Sequence, residues 1–278
     1  MQAAVPELPE VETTRQFMVP HVEGRRIVAA ELRHPRTGRR NENPADVIDR
    51  LRGQRVDRLE RQGKFILGRL GSGLTWVTHL GMSGRVLIAE TGSPEIPHTH
   101  FWARTDLGRE VRFIDPRTFG FVAVFTPDEL SRELRLGRDA LVDLPRTPQL
   151  EARLAGRRAP IKSLLLDQRI VSGLGNIYAD EVLFRARVRP TRPGGDLGSE
   201  ELKRLRAAIV PVLKAGIEAG GTSLNDLAYL LPDGRAGGFR ERLYAYGREG
   251  EGCRRCGIPI ERVVIGGRSS FFCPNCQK

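Results

Sequence analysis

All four cysteines of this 278-residue chain lie within its last 26 residues, as two Cys-x-x-Cys pairs separated by 16 residues. The predicted metal ligands are Cys253, Cys256, Cys273 and Cys276. Four thiolates complete a tetrahedral Zn²⁺ site with no open position, so we expect one structural zinc ion. The intervening residues 260–272 alternate like a β-hairpin with Gly266-Gly267 at its turn, which predicts a zinc finger.

The charge of the chain indicates a polyanionic partner. Lysine and arginine together number 45 against 34 acidic residues, a formal net charge of +11, and nucleic acid is the usual partner of such a surplus. A membrane span is excluded because no run approaches about 18 apolar residues. The first residues resemble no signal peptide, so the expected compartment is the cytoplasm.

Short segments rich in β-branched and aromatic residues fill the first half of the chain after one helix that starts near Pro6. Glycines separate the segments, and this spacing predicts a β-sandwich or a barrel. The predicted strands cover residues 64–67, 74–77, 85–88, 111–114 and 121–125.

Helical patterns dominate after a Pro-, Gly- and charge-rich stretch. We predict helices over residues 161–168, 177–186 and 199–216, the second preceded by Asn176 as its N-cap. The predicted organisation is therefore an α+β multidomain chain. Its parts are a catalytic domain over 6–135, a linker over 136–158, a DNA-binding helical domain over 159–243 and the zinc finger over 244–278.

Several short motifs, in order along nearly the whole chain, resemble those of the formamidopyrimidine-DNA glycosylase family. The motifs are Pro6-Glu7-Leu8-Pro9-Glu10-Val11-Glu12, Gly63-Lys64-Phe65, His79-Leu80-Gly81-Met82-Ser83-Gly84, Asp115-Pro116-Arg117-Thr118-Phe119-Gly120, Gly173-Leu174-Gly175-Asn176-Ile177-Tyr178-Ala179-Asp180-Glu181, Tyr246-Gly247-Arg248 and the four cysteines. The resemblance implies an N-terminal β-sandwich with its helix, a helix-two-turns-helix domain and a four-Cys zinc finger, with DNA bound in the cleft between domains.

The resemblance also implies the chemistry of a bifunctional DNA glycosylase and abasic-site lyase. Pro6 would attack C1′ of the damaged nucleoside as a free secondary amine, and Glu7 would protonate the sugar ring oxygen. Lys64 would assist β-elimination, and Arg268 would serve the δ-elimination step near a phosphate.

Six further residues match DNA-binding positions of that family. Met82, Arg117 and Phe119 would fill the gap left by a flipped-out base, and His98, Arg157 and Asn176 would contact phosphates. Thr118 departs from the family motif, which has arginine there, and we expect one weaker phosphate contact.

Five residues precede Pro6, and in that form its nitrogen is an amide that cannot attack a sugar. Gln2 is too large for ordinary removal of Met1. We therefore expect Val5 to be the true start, encoded by GTG and read as an initiator methionine whose removal exposes the Pro6 amine. The bias toward arginine, with only five lysines, is typical of GC-rich coding and fits such a start.

Two alternatives remain open from the sequence. An endonuclease VIII-like enzyme would prefer oxidised pyrimidines, although Leu8, Met82 and Phe119 favour the purine enzyme. If Pro6 stays blocked, the chain would be a zinc-finger DNA-binding protein without catalysis. The expected partner is double-stranded DNA with damaged bases, such as 8-oxoguanine or formamidopyrimidines, bound by a monomer at the bacterial nucleoid.

Overall fold

A computed structural model describes residues 6–224 and 229–278 of the protein, and these residues group into two compact units. The first unit comprises residues up to Arg135 together with 219–238, and the second comprises 136–218 together with 239–278. Met1 to Val5, on which the prediction about the start of the chain depends, lie outside the described residues. Among the residues described, no helix has the length and apolarity that a bilayer crossing needs.

The first unit is a sandwich of two antiparallel four-stranded sheets, in the orders β1-β6-β7-β5 and β2-β3-β4-β8. Its strands are β1 Ile27–Leu32, β2 Val56–Gln62, β3 Phe65–Leu70, β4 Thr75–His79, β5 Arg85–Glu90, β6 Thr99–Thr105, β7 Arg109–Ile114 and β8 Phe121–Phe125. Its helices are α1 Leu8–Val22, α2 Asp46–Leu51 and α3 Pro127–Glu133. The predicted sandwich with an N-terminal helix is confirmed.

The core of the first unit lies between the two sheets, where side chains such as Trp76 and Phe113 pack with Val11 and Met18 of α1. A second apolar cluster covers the outer face of the β2-β3-β4-β8 sheet, where Phe125 packs beside Leu130 of α3. Every residue of β8 is buried because that strand contributes side chains to both clusters. The continuous apolar run 121–125 is therefore the pattern of a strand covered on two faces.

The second unit is helical and ends in a β-hairpin. Its helices are α4 Thr147–Leu154, α5 Ile161–Leu166, α6 Asn176–Ala186 and α7 Ser199–Glu218; its strands are the short parallel pair β9 Arg138–Asp139 and β10 Val171–Ser172, and the hairpin β11 Glu261–Ile265 and β12 Arg268–Phe272. Helix α6 is central, because it packs against α5, α7 and β12. The predicted helical part and the predicted hairpin with its Gly-Gly turn are both confirmed.

The two units divide the chain differently from the predicted domain boundaries. Residues 136–158, predicted to be a linker, contain α4, which packs on α7. The described residues of 219–238, assigned from sequence to the helical domain, belong to the sandwich unit instead. There the amide of Thr222 bonds the Glu10 carboxylate, and the carbonyl of Pro232 accepts the Ile88 N–H.

Candidate functional site

The start of α1 carries the two residues predicted to do the chemistry, Pro6 and Glu7. Glu7 is the N-cap of the helix and only 1% exposed. Its backbone N–H donates to Oε2 of Glu10, one turn later, at 2.8 Å. This bond satisfies an amide at the helix end and fixes the backbone beside Pro6.

Glu10 also connects the helix start to the 219–238 segment of the same unit. Its other carboxylate oxygen accepts the Thr222 N–H at 2.7 Å, and its carbonyl accepts the Tyr229 hydroxyl at 3.3 Å. Burial raises the pKa of Tyr229 far above its ordinary value, so the phenol stays a neutral donor. Gly221 is needed here because its φ is +83° and a Cβ would lie 2.9 Å from Glu10.

This polar network around the helix start was not anticipated from the sequence. Glu10 was taken only as an acid that favours the helix dipole, and Gly221 only as the end of a helix. A signal was available, since Glu10 stands three residues after Glu7, the spacing at which a helix N-terminus uses an acidic side chain as a capping partner.

Lys64 lies half-buried in the turn between β2 and β3, and a buried ion pair fixes that turn to α1. Arg61 donates to Oε2 of Glu12 at 3.1 Å and to the carbonyl of Gly63 at 3.0 Å, and its side chain is 2% exposed. Burial alone would raise the pKa of Glu12, but its pairs with Arg15 and Arg61 hold that pKa below the ordinary value. The helix that begins at Glu7 and the turn that carries Lys64 are thus held together by charge.

His79 links the neighbourhood of Lys64 to the loop that carries Met82. Its ring nitrogen Nδ1 accepts the Gly81 N–H at 3.2 Å. Burial, followed by the nearby charges of Lys64, Arg40 and Arg39, lowers the pKa of His79 to about 4. His79 is therefore neutral at physiological pH and serves as an acceptor for the loop backbone.

The loops of Met82 and Phe119 are locked together by the wholly buried carboxylate of Asp115. Its Oδ1 accepts the Ser83 hydroxyl at 2.6 Å, and its Oδ2 accepts the Gly120 N–H at 2.7 Å. The two backbones approach so closely that a Cβ on Gly81 would lie 2.3 Å from the Gly120 nitrogen. We call residues 81–84 and 115–120 together the wedge loops.

The wedge loops bring together the three residues predicted to enter the duplex. Met82 is half-buried, Arg117 is exposed, and Phe119 is 39% exposed. The Arg117 guanidinium lies over the Phe119 ring, 4.8 Å from its centroid, which holds both side chains on one side of the loop. A large aromatic side chain left this exposed is available for contact with a partner.

His98, a predicted phosphate contact, is joined to the same loops. Its carbonyl accepts the Asp115 N–H at 3.0 Å, and its side chain is exposed. Its φ is +65°, a left-handed conformation that is uncommon for residues other than glycine. The first unit thus contains the following predicted site residues: Pro6, Glu7, Lys64, Met82, His98, Arg117 and Phe119.

The second unit contains the other predicted phosphate contacts, Arg157 and Asn176. Arg157 is exposed in the segment after α4. The N-cap prediction for Asn176 is wrong, because α6 begins at Asn176 and Gly175 is the N-cap. Within the described residues, the buried Oδ1 of Asn176 has no hydrogen-bond partner.

The turn that precedes α6 is held by one glutamine. Gln168 accepts the Gly173 N–H and donates to the Leu174 carbonyl, both at 2.8 Å. Asn176 therefore stands on a rigid turn at the positive end of an 11-residue helix, a favourable place for an anion.

The four cysteines converge as predicted. Their Sγ atoms all lie within 4.8 Å of one another, and those of Cys256 and Cys273 are 3.5 Å apart. Sulfurs bound tetrahedrally at about 2.3 Å from one ion stand about 3.8 Å apart, so the cluster fits Zn²⁺. The backbone amides of Arg255 and Cys276 also point at cysteine sulfurs, which favours thiolates.

Arg268 occupies the tip of the zinc-finger hairpin. It is the first residue of β12, pairs with Ile265 across the turn, and is exposed. The turn residues Gly266 and Gly267 have φ of +54° and +75°, the conformation that a tight two-residue hairpin turn requires.

Two adjacent buried carboxylates of α6 hold the finger in place. Asp180 pairs with Lys162 at 2.7 Å and accepts the Phe271 N–H at 2.9 Å, while both charged side chains are fully buried. Glu181 accepts the backbone N–H groups of Tyr244, Ala245 and Tyr246 at 2.8–2.9 Å. The sequence analysis quoted both acids within a motif without assigning them a role.

Comparison with known families gives three matches in order along the chain. Residues 5–122 match the formamidopyrimidine-DNA glycosylase N-terminal domain, and residues 136–227 match the formamidopyrimidine-DNA glycosylase H2TH domain. Residues 250–278 match the zinc finger found in FPG and IleRS. The predicted resemblance and the predicted helix-two-turns-helix domain are confirmed.

Full-length relatives and solved structures agree with these matches. Formamidopyrimidine-DNA glycosylases of Gluconobacter oxydans and Geobacter sulfurreducens are 43% and 42% identical, over 99% of this chain and 100% of each relative. The crystal structure of MutM (Fpg) from Thermus thermophilus has a TM-score of 0.86 at 42% identity, covering 98% of both chains. The complex of Lactococcus lactis Fpg with Fapy-dG-containing DNA has a TM-score of 0.87 at 29% identity, covering 98% of this chain and 100% of that one.

Proposed function

The chain belongs to the formamidopyrimidine-DNA glycosylase family, and from that premise we propose how it excises oxidised purines from DNA and cuts the strand. The observation that supports the proposal best is the start of α1. Pro6 directly precedes a buried glutamate there, and the Glu10 carboxylate fixes the backbone beside both residues. The full-length relatives named above are formamidopyrimidine-DNA glycosylases, which favours oxidised purines over the pyrimidines of an endonuclease VIII-like enzyme.

Pro6 is the proposed nucleophile, and it must be the first residue of the active form. Its secondary amine bonds to C1′ of the damaged nucleoside, the bond from C1′ to the base breaks, and ring opening with loss of the amine proton leaves an iminium. A terminal amine has a pKa near 8, against about 10.4 for lysine, so about a tenth is neutral at pH 7 compared with about one lysine in 2,500.

Glu7 is the proposed acid for ring opening. Its position next to Pro6 and its burial allow a carboxyl group to deliver a proton to the ring oxygen of the sugar. The Glu7–Glu10 bond holds the acid in place, because the backbone of Glu7 cannot shift without breaking a buried hydrogen bond.

Lys64 and Arg268 are proposed to serve the elimination steps. β-Elimination removes a proton from C2′ and expels the 3′ phosphate, and δ-elimination then expels the 5′ phosphate. Lys64 stands in a turn that Arg61 and Glu12 fix to α1, which suits a proton transfer near the Pro6 adduct. Arg268 offers an exposed guanidinium on a rigid hairpin tip, which suits a departing phosphate.

DNA recognition is proposed to combine base replacement with phosphate contacts. Met82 and Phe119 supply apolar surface for the gap in the stack, and Arg117 supplies donors for the unpaired opposite base. His98, Arg157 and Asn176 are proposed to bind phosphates, and the positive end of α6 favours that role for Asn176.

The zinc ion is structural, since four thiolates leave no coordination position for substrate. Double-stranded DNA with damaged bases is the proposed substrate. Because that DNA is chromosomal, we expect the enzyme in the bacterial cytoplasm at the nucleoid, acting as a monomer.

The test is incision of a duplex that carries one 8-oxoguanine, using chain that begins at Pro6. The proposal expects release of the base and a one-nucleoside gap with phosphate at both ends, the products of β- and δ-elimination. Binding of the same duplex without base release would indicate a DNA-binding protein instead. Preference for a duplex with an oxidised pyrimidine would favour the endonuclease VIII-like alternative.

A further inference from the structure

Two arginines outside the predicted site bind the backbone of the wedge loops. Arg39 donates to the carbonyl of Gly120 at 2.7 Å and to the carbonyl of Phe119 at 2.8 Å. Arg36 donates to the carbonyl of Thr118 at 3.2 Å. Three consecutive carbonyls of one loop are therefore held by two guanidinium groups from the turn at residues 35–39.

The opposite polar groups of this loop are held from another direction. Asp115 accepts the Gly120 N–H through its carboxylate and the Thr118 N–H through its carbonyl. Between them lies Phe119, whose side chain stays partly exposed. Hydrogen bonds to both the amides and the carbonyls define one conformation of this loop, since either set alone leaves peptide groups free to rotate.

The conformation that these bonds hold is not one the loop would adopt without support. Thr118 has φ of +53°, which is disfavoured for a β-branched residue. Strained residues persist where surrounding contacts over-determine them, and such residues cluster at functional sites. Thr118 carries strain, and its own carbonyl and the next two are the ones that the arginines bind.

Arg36 and Arg39 use their donors differently from several other arginines of the unit. Arg50 and Arg112 pair with Glu129 and Glu110, whereas Arg39 turns both ends of its fork to backbone carbonyls. Burial, followed by the nearby charges of Arg40 and Arg36, lowers the pKa of Arg39, and Asp115 opposes that change. Arginine suits this position because its planar fork reaches two acceptors and keeps its charge.

We propose that Arg36 and Arg39 are positioning residues that hold the wedge loops in the form in which Arg117 and Phe119 can enter the duplex. The inference rests on the proposed function of Arg117 and Phe119 as inserting residues. Neither arginine needs to touch the reacting atoms. Each acts through the loop backbone, so its loss is felt where a base must be replaced in the stack.

The competing explanation is that both guanidinium groups bind DNA phosphates directly. A phosphate contact strengthens binding to every duplex alike, and its loss lowers the salt dependence of binding by about one counterion per contact. A positioning role instead predicts selective loss on lesions that must be flipped. The two explanations differ in which substrate suffers.

The test compares Arg36→Ala and Arg39→Ala with Arg26→Ala as the matched control. Arg26 is also exposed, lies in the same unit, and donates to a backbone carbonyl, that of Gly53 at 2.6 Å, in a different loop. For Arg39→Ala we expect base excision from an 8-oxoguanine duplex to fall about tenfold, because two hydrogen bonds to the loop are lost. Arg36→Ala should lose less, Arg26→Ala should match the parent protein, and cleavage of a preformed abasic site should change little in all three.

A second readout does not require activity. Hydrogen exchange of the loop peptide spanning residues 115–121 should speed up on the order of fivefold in Arg39→Ala and stay unchanged in Arg26→Ala, because local opening becomes easier. Arg39→Lys should keep the salt dependence of DNA binding while recovering little of the excision rate, since an ammonium lacks the two-pronged fork.

Two results would overturn the inference. One is an Arg39→Ala protein that matches Arg26→Ala in both excision and loop exchange. The other is equal loss on the lesion and on the abasic site together with a weaker salt dependence, which would make both arginines phosphate contacts. If the parent protein releases no base, the proposed function fails, while the loop exchange still decides whether the arginines hold the loop.

Discussion

Arg117 and Arg268 both stand on short turns, and the protein holds these turns by different means. The Arg117 turn rests on a β-sandwich core and is fixed by hydrogen bonds from Asp115 and from two neighbouring arginines. The Arg268 turn belongs to a terminal hairpin that is fixed by four cysteines and by the buried acids of α6. A loop over a large core is rigid once its polar groups are paired, whereas a small terminal segment lacks apolar volume and needs a metal.

Loss of the metal should produce the largest effect on this comparison. Cys273→Ser should abolish zinc binding and unfold the hairpin, because structural zinc sites contribute about 10–16 kcal/mol of apparent binding free energy. We expect duplex binding to fall by about a hundredfold or more while the sandwich unit keeps its strand content. Metal analysis, circular dichroism and duplex titration measure the three quantities.

Val264→Ser is the control for that variant. Val264 is 65% exposed on the same hairpin and lies outside the cysteine cluster, so zinc and binding should both be retained. Full duplex affinity in a metal-free Cys273→Ser protein would show that the finger contributes nothing to DNA binding.

The next largest effect is expected from the buried ion pair beneath the hairpin. Lys162→Met leaves the Asp180 carboxylate buried without its charged partner, which should cost about 3–5 kcal/mol of the free energy of unfolding. The double variant Lys162→Met/Asp180→Asn should recover part of that loss, because the neutral amide oxygen introduced at position 180 can still accept the Phe271 N–H. Urea unfolding and proteolysis of residues 244–278 measure the effect.

Lys203→Met is the matched control, since Lys203 pairs with Glu200 at 2.6 Å on the exposed face of α7 in the same unit. Exposed pairs contribute about 0–1 kcal/mol, so this variant should unfold almost like the parent. Similar losses for Lys162→Met and Lys203→Met would mean that burial of the first pair has no energetic consequence.

A smaller effect, confined to one substrate, is expected from the wedge loops. Removing the side chain of Met82, Arg117 or Phe119 should cost about 1–3 kcal/mol in base excision from a duplex, or roughly tenfold to a hundredfold in rate. Cleavage of an abasic site should be spared, since Pro6 and Glu7 are untouched. Arg117→Ala should also flatten the preference for the opposite base.

Single-turnover rates on both substrates, with the melting temperature of each variant, decide between insertion and packing. If Met82 and Phe119 act only as core residues, their loss should lower the melting temperature and slow both reactions equally.

The smallest effect concerns the pH dependence of the hydrogen bond that ends β4. The pKa of folded His79 is about 4, below that of an unfolded histidine near 6.5, so the unfolded chain binds the proton first as pH falls. The contribution of His79 to stability is therefore complete above pH 6.5 and declines toward pH 4, by about 1 kcal/mol at pH 5.5.

His79→Asn offers an oxygen to the Gly81 N–H without a titrating ring. Its free energy of unfolding should fall less than that of the parent protein between pH 6.5 and 4. Identical pH profiles would mean that His79 titrates normally in the folded protein.

The sequence predicted the architecture well where each pattern has a local cause. The run 121–125 is a strand covered on both faces, and the Gly266-Gly267 turn satisfies a local backbone requirement. Strands β1, β2 and β6 were missed because charged residues on their exposed faces interrupt the apolar pattern, as at Glu31. Helix α4 was missed because prolines and charges around it are also typical of a linker.

The site was predicted in its chemistry and incompletely in its supports. Pro6, Lys64 and Arg117 follow from motif and residue type. Glu10, Asp115 and Arg39 support the chain around them through contacts between residues as far as 212 positions apart, and no local pattern records such contacts. A buried carboxylate is also indistinguishable from a surface one in sequence, as Glu181 illustrates.

The central claim is that the Pro6 amine performs the reaction, and borohydride trapping on abasic-site DNA tests it most directly. Protein that begins at Pro6 should give a covalent adduct whose intact mass equals enzyme plus DNA. The full 278-residue chain with Met1 to Val5 attached should give none, because its Pro6 nitrogen is an amide. An adduct of equal yield from the full-length chain, with Met1 to Val5 still present by mass, would contradict the account.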